Sequence, residues 1–362
     1  MTGSDGLWAR LRSISERDGP FVSLYLDTEA GTETGARDLE LRWRALRERA
    51  ESHGARERAL GALDGLVDGA QTRGDGLAAI TSGDEVVFRR WLPRRIGDGV
   101  RVGPLPHLLP LIEWHGDNPR YAVVVADRVG AEIHVLGGLD AERTETVAGD
   151  DWPLTKVRSG GMAEPRIQRR AENNWEGNAK EVASELTGIV DAEDIDLVVV
   201  AGDVRAIGFL QEQLGHDQET IAVEIDSRPT VSLDDIVDDL DGVVAAYSGQ
   251  TTEDLLATFR EERGQGDLAA DGVEPTLAAL RMAQVDTLLL AREVSGGDVW
   301  FSASNRAQVA RDRTTLTDLG HDDATAGPLS DVLVCAALAS GAQVRALPDL
   351  SAEHGPSEGV TA

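Results

Sequence analysis

Three neighbouring stretches decide the fold: Tyr121-Ala-Val-Val-Val-Ala-Asp127, Ala131-Glu-Ile-His-Val-Leu136, and Leu154-Thr-Lys-Val-Arg-Ser-Gly-Gly-Met-Ala-Glu-Pro-Arg-Ile-Gln-Arg-Arg170. The first two are rich in strand formers and predict a hairpin across Arg128-Val129-Gly130. The third is basic and centred on paired glycines. Between the hairpin and the next periodic segment, Gly138 to about Asn174 reads as a long irregular loop, of a kind that is normally functional or disordered. Helical spacing returns at Ala179, Val182, Ala183, Leu186 and Val190. Leu197-Val-Val-Val-Ala201 is apolar without alternation, which predicts a strand buried on both faces. A helix from Val204 to Leu214 and a strand from Thr220 to Ile225 complete an α/β domain closing near Tyr247.

Working outward to the N-terminus, Phe21 to Asp27 alternates and predicts a strand. Helical spacing covers Ala36 to Ala50, through Leu39, Leu41, Trp43 and Leu46, and a second helix covers Glu57 to Val67. Strands at Gly76–Thr81 and Glu85–Trp91 meet across the turn residues Ser82-Gly83-Asp84. Towards the C-terminus the pattern predicts helices at Thr252–Arg263 and Glu274–Ala283 and strands at Asp286–Leu290 and Asp298–Phe301. Ser330 is placed to cap a helix Asp331–Ala339, a strand Gln343–Leu347 follows, and the tail after Pro348 is expected to fray. The expected class is α/β (α+β multidomain), with domains at 1–112, 118–247 and 248–350, the last a small α/β/α sandwich.

The chain has 362 residues, 64 acids against 35 Lys and Arg, and a formal charge of −29. Apolar residues make up 41% of it, a globular value. No apolar run reaches the ~18 residues of a membrane span, and no signal peptide is visible, so a cytoplasmic protein with no membrane contact is expected. Cys335 is the only cysteine, which excludes an internal disulfide and a cysteine-based zinc site. There is no G-x-S-x-G elbow, phosphate loop or dinucleotide fingerprint; Gly97-Asp-Gly99-Val-Arg-Val-Gly103 has the wrong spacing. The seven histidines are scattered, and His134 reads as a structural histidine on a strand. The run Asp234 to Asp241 reads as a solvated acidic helix end, since it does not match an EF-hand loop. No cofactor and no metal are expected.

The average charge argues against a nucleic-acid partner, but the average hides an exception. Between Leu154 and Arg170 lie Lys156, Arg158, Arg166, Arg169 and Arg170 against Glu164 alone, a local excess of +4 in a chain that otherwise carries −33. Gly160-Gly161 at the centre can adopt backbone conformations closed to other residues. A glycine tip flanked by guanidinium groups suits a phosphate-lined cavity, and equally a surface loop whose arginines pair with nearby acids. A second cluster, Arg89, Arg90, Arg94, Arg95 and Arg101 with Trp91, fits two readings: a grip on RNA backbone with one stacked base, or a strand whose outward arginines pair with acidic helices.

The order hairpin, basic Gly-Gly loop and helix, in the middle of three domains, resembles the class-one release factors of archaea and eukaryotes. Their middle domain carries a Gly-Gly-Gln tip followed by an Arg and an apolar residue; here Gly160-Gly161-Met162 stands at the tip and Arg166-Ile167 at the following pair. The segments Glu274–Leu290 and Ser330–Leu347 resemble the last domain of these factors, which shares its fold with kink-turn-binding ribosomal proteins. Within the family the chain looks most like the bacterial branch that includes a ribosome hibernation factor. The resemblance implies a partner ribosome, with contacts to the rRNA of the A site and the peptidyl-transferase centre, and a contact with elongation factor Tu. It implies a monomer.

The departures shape the expected activity. Met162 replaces the tip glutamine, and a thioether neither donates a hydrogen bond nor positions a water. The stop-codon-reading Asn-Ile-Lys-Ser motif is absent from the first domain. Ser248-Gly249-Gln250 supplies a glutamine only at a domain junction, where a helix-start turn is expected. The asparagine and lysine of kink-turn binders are absent around Gly272-Val-Glu274. The leading expectation is a non-catalytic ribosome-binding hibernation factor that reads no codon. The alternatives are a peptidyl-tRNA hydrolase that rescues stalled ribosomes, and a stress-associated interaction protein that does not bind them.

Overall fold

The computed structural model describes residues 5–29, 35–68, 70, 73–126, 130–138, 143–148, 164–193, 195–202, 207, 208, 210, 212, 220–224, 233, 236–265, 268–292, 294, 296–347 and 357–362. Of residues 5, 6, 130, 143, 147, 148, 164–176, 220–224, 237 and 238 it describes the backbone alone. The architecture is mixed α/β and multidomain. One compact unit contains residues 118–250, and the other contains 7–117 and 251–362.

In the second unit, helix α1 (Asp5–Ser15) precedes strand β1 (Phe21–Asp27), helix α2 (Gly35–Ser52) and helix α3 (Glu57–Val67). Strands β2 (Gly76–Ser82), β3 (Glu85–Leu92) and β4 (Gly99–Gly103) complete an antiparallel sheet of order β3-β2-β1-β4. Alternation decides its faces. Val22, Leu24, Leu26, Leu77 and Ala79 form one buried cluster with Leu39, Trp43 and Leu46 of α2 and Leu60, Leu63 and Val67 of α3. Trp43 buries its ring there and donates from Nε1 to Asp64 Oδ1 at 2.8 Å. Gly99–Gly103, the near-match to a nucleotide loop, is a strand paired with β1. Helix α4 (Leu109–Asp117) occupies the proline-punctuated stretch.

The other unit holds strands β5 (Arg120–Ala126), β6 (Gly130–Gly137) and β7 (Arg143–Ala148), helix α5 (Glu164–Glu193), and strands β8 (Leu197–Gly202) and β9 (Thr220–Glu224). The sheet order is β7-β6-β5-β8-β9, with β5, β8 and β9 parallel and the hairpin strands antiparallel. Strand β8 lacks alternation because both faces are covered. Val198 and Val200 pack with Val182, Ala183, Leu186 and Ile189 of α5. Leu197, Val199 and Ala201 pack with Ile236, Leu240 and Val244.

The irregular segment expected over Gly138–Asn174 is a correction. Arg143–Ala148 pairs with β6, and α5 is already helical at Glu164. The alternation Arg-Thr-Glu-Thr is polar on both faces, so it gives no apolar signal. Pro165 suits the first turn of a helix, where its missing N–H costs nothing. The helix over Val204–Leu214 lies largely outside the described residues.

Helix α6 (Val237–Gln265) overturns two further expectations. It begins 15 residues before Thr252, and Ser248-Gly249-Gln250 lies inside it rather than at a turn. A lone glycine in a helix costs only about 1 kcal/mol, and packing on either side outweighs it: Leu240 and Val244 are buried in one cluster, Leu256 and Phe259 in another. The division between the two units falls within this helix. Ile236 and Leu240, within the acidic run, are buried.

The C-terminal segment runs through helix α7 (Val273–Arg281), strands β10 (Thr287–Ala291), β11 (Asp298–Ser302) and β12 (Val309–Ala310), helix α8 (Arg313–Asp318), strand β13 (Ala324–Pro328), helix α9 (Leu329–Ser340), strand β14 (Gln343–Leu347) and strand β15 (Val360–Thr361). Two three-stranded sheets result, of order β14-β10-β15 and β12-β11-β13. Helix α9 packs against both and is buried almost throughout. It ends at Gly341, whose φ of +87° is left-handed, with Ala342 N donating to Ala337 O at 2.9 Å. Ser330 is not its cap: the cap position is Pro328, and Ser330 sits in the first turn. The tail is not frayed at residues 357–362, where β15 pairs with β10.

Candidate nucleic-acid interface

The basic segment of the middle unit leads into α5. Lys156, Arg158, Gly160, Gly161 and Met162 lie outside the described residues. Arg166, Arg169 and Arg170 are backbone positions in the first two turns of α5, spaced three and four residues apart and so on one helical face. The helix has 30 residues and is about 45 Å long.

Its charges run against its own dipole. A helix is stabilised by anions at its N-terminus and cations at its C-terminus, each worth roughly 0.3–1 kcal/mol. Here Glu164 opens the helix, but Arg166, Arg169 and Arg170 follow within its first two turns, and the last turn has no basic residue but carries Asp191 and Glu193. Intrinsic helix stability therefore does not account for the arginines.

The C-terminal end of α5 is clamped. Arg120, only 6% exposed, donates from Nη2 to Glu193 Oε2 at 2.7 Å and from Nη1 to the carbonyl of Gly137 at 3.1 Å. Its backbone N–H donates to Asp196 Oδ2 at 2.9 Å, and Asp196 N returns a bond to Arg120 O at 2.8 Å. Gly137 can make the approach because its φ is +70° and a Cβ there would meet Pro119 O at 2.2 Å. The helix that begins with the arginines is thus fixed to the sheet at its far end. Sequence reasoning missed Arg120; its only signal was an arginine directly before an apolar strand. His134 accepts or donates through Nδ1 to Thr144 Oγ1 at 3.0 Å, as a structural histidine would.

The first-segment arginines are not gathered on one surface. In the β2–β3 register Arg89 stands opposite Ala79 and Arg90 opposite Ala78, so the two point to opposite faces of the sheet. Arg89 is exposed and Arg90 half-buried. Arg94 is exposed, and Arg95 is ion-paired with Glu29, its Nε 2.6 Å from Oε2, a contact that raises the guanidinium pKa further. Arg101 turns to Asp331 instead. Trp91 is not offered to a base: its ring packs against the α2–α3 cluster, and Arg73 lies 5.3 Å from its centroid.

A second polar constellation, unseen in the sequence, lies where Asp331 of α9 meets the N-terminal sheet. Asp331 is 1% exposed, with Oδ1 2.6 Å from His107 Nδ1 and both oxygens 3.4 Å from Arg101 Nη1. Ser330 Oγ donates to Asp331 Oδ1 at 3.3 Å. His107 N donates to Ser23 Oγ at 3.0 Å, and the Tyr25 hydroxyl donates to the His107 carbonyl. Burial, and then the Asp331 charge, push the pKa values of Tyr25 and Cys335 well up, which keeps the phenol and thiol protonated. The group braces two parts of one unit. Arg12 Nε to Leu338 O at 2.8 Å and Arg306 Nε to Ser15 O at 3.3 Å extend the same junction. The legible signal was an acid at the head of an otherwise apolar helix. Among the described residues no cluster of His, Cys, Asp or Glu is arranged to hold a metal ion, and no helix is long and apolar enough to cross a membrane.

Residues 120–265 match the model of the bacterial archaeo-eukaryotic release factor family 2, a span that includes the Gly-Gly segment, all of α5 and the Arg120 clamp. The match covers less than half of the chain and so describes its middle part. Two uncharacterised proteins from strains of Mycobacterium tuberculosis, MT2704 and Rv2629, are each 29% identical over 344 residues, covering 92% of this chain and 90% of theirs. Among solved structures, the archaeal translation termination factor aRF1 is similar at 17% identity over 98% of this chain and 95% of that one, with a TM-score of 0.22. Ribosome-bound archaeal Pelota is similar at 12% identity over 100% and 94%, with a TM-score of 0.41. Dom34 of S. cerevisiae is similar at 13% over 80% and 73%, also at 0.41. The likeness to the release-factor family is thus one of residues 120–265.

Proposed function

We propose that the protein is a ribosome-binding factor of the Balon type. It occupies the vacant A site, sets its first segment near the decoding centre, and directs Gly160-Gly161 toward the peptidyl-transferase centre, so that idle ribosomes are silenced and protected. The observation that carries the reading is the release-factor family match over residues 120–265, which spans the arginine-bearing start of α5. The arginines oppose the helix dipole, and a phosphate-lined cavity is the environment that would repay that cost. Met162 supplies no donor to polarise an ester carbonyl or hold a water, so binding requires shape and phosphate contacts and no chemical step. The resemblance to the family also leads us to include elongation factor Tu as a delivery partner.

The test is co-sedimentation with ribosomes from stationary-phase cells. The protein travels with ribosomes at low salt, and the variant Arg166→Glu/Arg169→Glu/Arg170→Glu binds more weakly, with a salt dependence shallower by about two to three units of slope. A protein that stays at the top of the gradient refutes the proposal. A rescue hydrolase is the competing reading, because backbone N–H donors at the Gly-Gly tip do not depend on the Met162 side chain. Release of labelled peptide from stalled complexes, abolished by Gly161→Pro, would decide for it. A stress-associated protein that never meets the ribosome would be indifferent to the charge reversal.

A further inference from the structure

All four cations of α5 fall on one face of the helix. At about 100° per residue, Arg166, Arg169, Arg170 and Lys180 lie within an arc of about 100° around its axis. Between and beyond them the same arc holds Asn173, Gly177, Ser184, Thr187 and Gly188. The acids Glu164, Glu172, Glu176, Glu181 and Glu185 all lie outside it, and the first acid on it is Asp191, in the last turn. From Arg166 to Gly188 the acid-free arc is about 33 Å long. The packed side of the helix is a different one. Val182, Ala183, Leu186 and Ile189 are buried in the cluster on the sheet, whereas Gly177, Lys180, Ser184, Thr187 and Gly188 are exposed.

The stability of the helix does not explain this segregation. Arg166 and Arg170 are neighbours of like charge four residues apart, which weakens a helix. Gly177 and Gly188 are poor helix formers, and a Cβ at either would meet nothing within 4 Å, so no neighbour in the protein requires glycine there. The chemistry of the face selects among partners. It carries no aromatic or large aliphatic residue to anchor a protein interface, and none on which an unpaired base could stack. It offers guanidinium, ammonium, amide and hydroxyl groups strung along a line, with glycines that admit close approach. Donors in a row match a row of phosphates, where a single anion needs donors that converge. In a chain of net charge −29, an acid-free cationic face is where a polyanion meets attraction instead of repulsion.

We propose that this face of α5 is a docking rail for the sugar–phosphate backbone of duplex RNA, with Arg166, Arg169 and Arg170 at one end and Lys180 as its far cation. Ser184 and Gly188 continue the rail toward the last turn. The contacts are to phosphates and 2′-hydroxyls, so the rail reads no sequence. It carries the interface past the Gly-Gly segment and along the body of the middle unit. That the duplex is ribosomal rests on the ribosome-binding reading above; the chemistry of the face does not.

Fluorescence anisotropy of the full chain with a short labelled RNA duplex, at a series of salt concentrations, tests the rail. The parent protein binds duplexes of two unrelated sequences equally, and each more tightly than a single strand. Lys180→Gln weakens binding to both, and the slope of log affinity against log salt becomes shallower by about one. Ser184→Glu, which sets an acid on the rail, also weakens binding to both. Arg311→Gln removes an equal charge from the exposed surface of the C-terminal segment and leaves affinity and slope unchanged. All three positions are exposed, so the circular dichroism of each variant matches that of the parent. A parent that does not bind the duplex, or binds a single strand as tightly, overturns the rail. So does a slope unchanged in Lys180→Gln, or an equal loss in Arg311→Gln. Sedimentation separates the two readings. A protein that travels with ribosomes but fails these tests loses the rail alone, and one that passes them but stays at the top of the gradient loses the ribosome reading alone.

Discussion

Replacing Asp331 by alanine tests whether residues 7–117 and 251–362 form one cooperative body. The carboxylate is buried and meets two cationic or polar partners, His107 at 2.6 Å and Arg101 at 3.4 Å. Removing one member of a buried pair costs about 3–5 kcal/mol, because the other is left desolvated and unpaired. The Arg101 side chain is 39% exposed and can turn to water, so its share is discounted, whereas His107 at 16% is confined. The expected loss is therefore about 3 kcal/mol. For a body of this size each kcal/mol lowers the Tm by about 2–4 °C, which predicts a fall of roughly 6–12 °C in differential scanning calorimetry. Because the contact joins residues 224 apart in sequence, hydrogen exchange should quicken in both β1 and α9. The cycle of His107→Ala, Asp331→Ala and the double variant should show a coupling of roughly 1–3 kcal/mol. A Tm within 2 °C of the parent, or destabilisation confined to α9, would refute the argument that this pair couples the two segments.

Arg120→Met removes the guanidinium that bonds Glu193 and the Gly137 carbonyl and keeps the backbone bond to Asp196; a loss of roughly 2–4 kcal/mol is expected in the unit holding β5, with faster exchange at the C-terminal end of α5 as the check. His115 is held to a pKa of about 4 rather than 6.5, by burial first and by the Arg345 charge second. The unfolded chain therefore binds the proton that the folded one refuses, so stability is full above pH 6.5 and falls between pH 6.5 and about 4. His115→Gln should flatten denaturant midpoints across that window. Cys335 is buried and its thiol is pushed up in pKa by burial and by Asp331. It should resist thiol reagents in the native protein and label at the rate at which its unit unfolds.

Much of the secondary structure was legible where one physical signal was strong. Gln343–Leu347 and the helix before it were visible because an apolar run ends at Gly341, the residue type that reverses a helix at least cost. The non-alternating Leu197–Ala201 announced a strand covered on both faces, and α5 and α6 cover it. Strand β7 gave no such signal, because it is an edge strand whose first four residues are all polar, and its pairing with β6 supplies the order that its composition lacks. The unbroken helix across Ser248-Gly249-Gln250 was hidden for the opposite reason: a local turn preference was present and packing on both sides overrode it.

The candidate site divides in the same way. Local composition alone identified the arginines before and within α5, since charge excess is a property of sequence and needs no partner to be seen. Placing Arg89 and Arg90 together was a consequence of reading along the chain, whereas a strand sends consecutive side chains to opposite faces. The sequence by itself determined the α/β class, the hairpin and the buried strand of the middle segment and the basic Gly-Gly stretch, because periodicity and charge are local. Only the tertiary structure decided that Asp331 answers His107 and Arg101, that Arg120 clamps the end of α5, and that Val360 and Thr361 pair with β10. Each is a contact between distant residues, and the free energy of burying a charge or pairing an edge strand depends on what the fold sets opposite it.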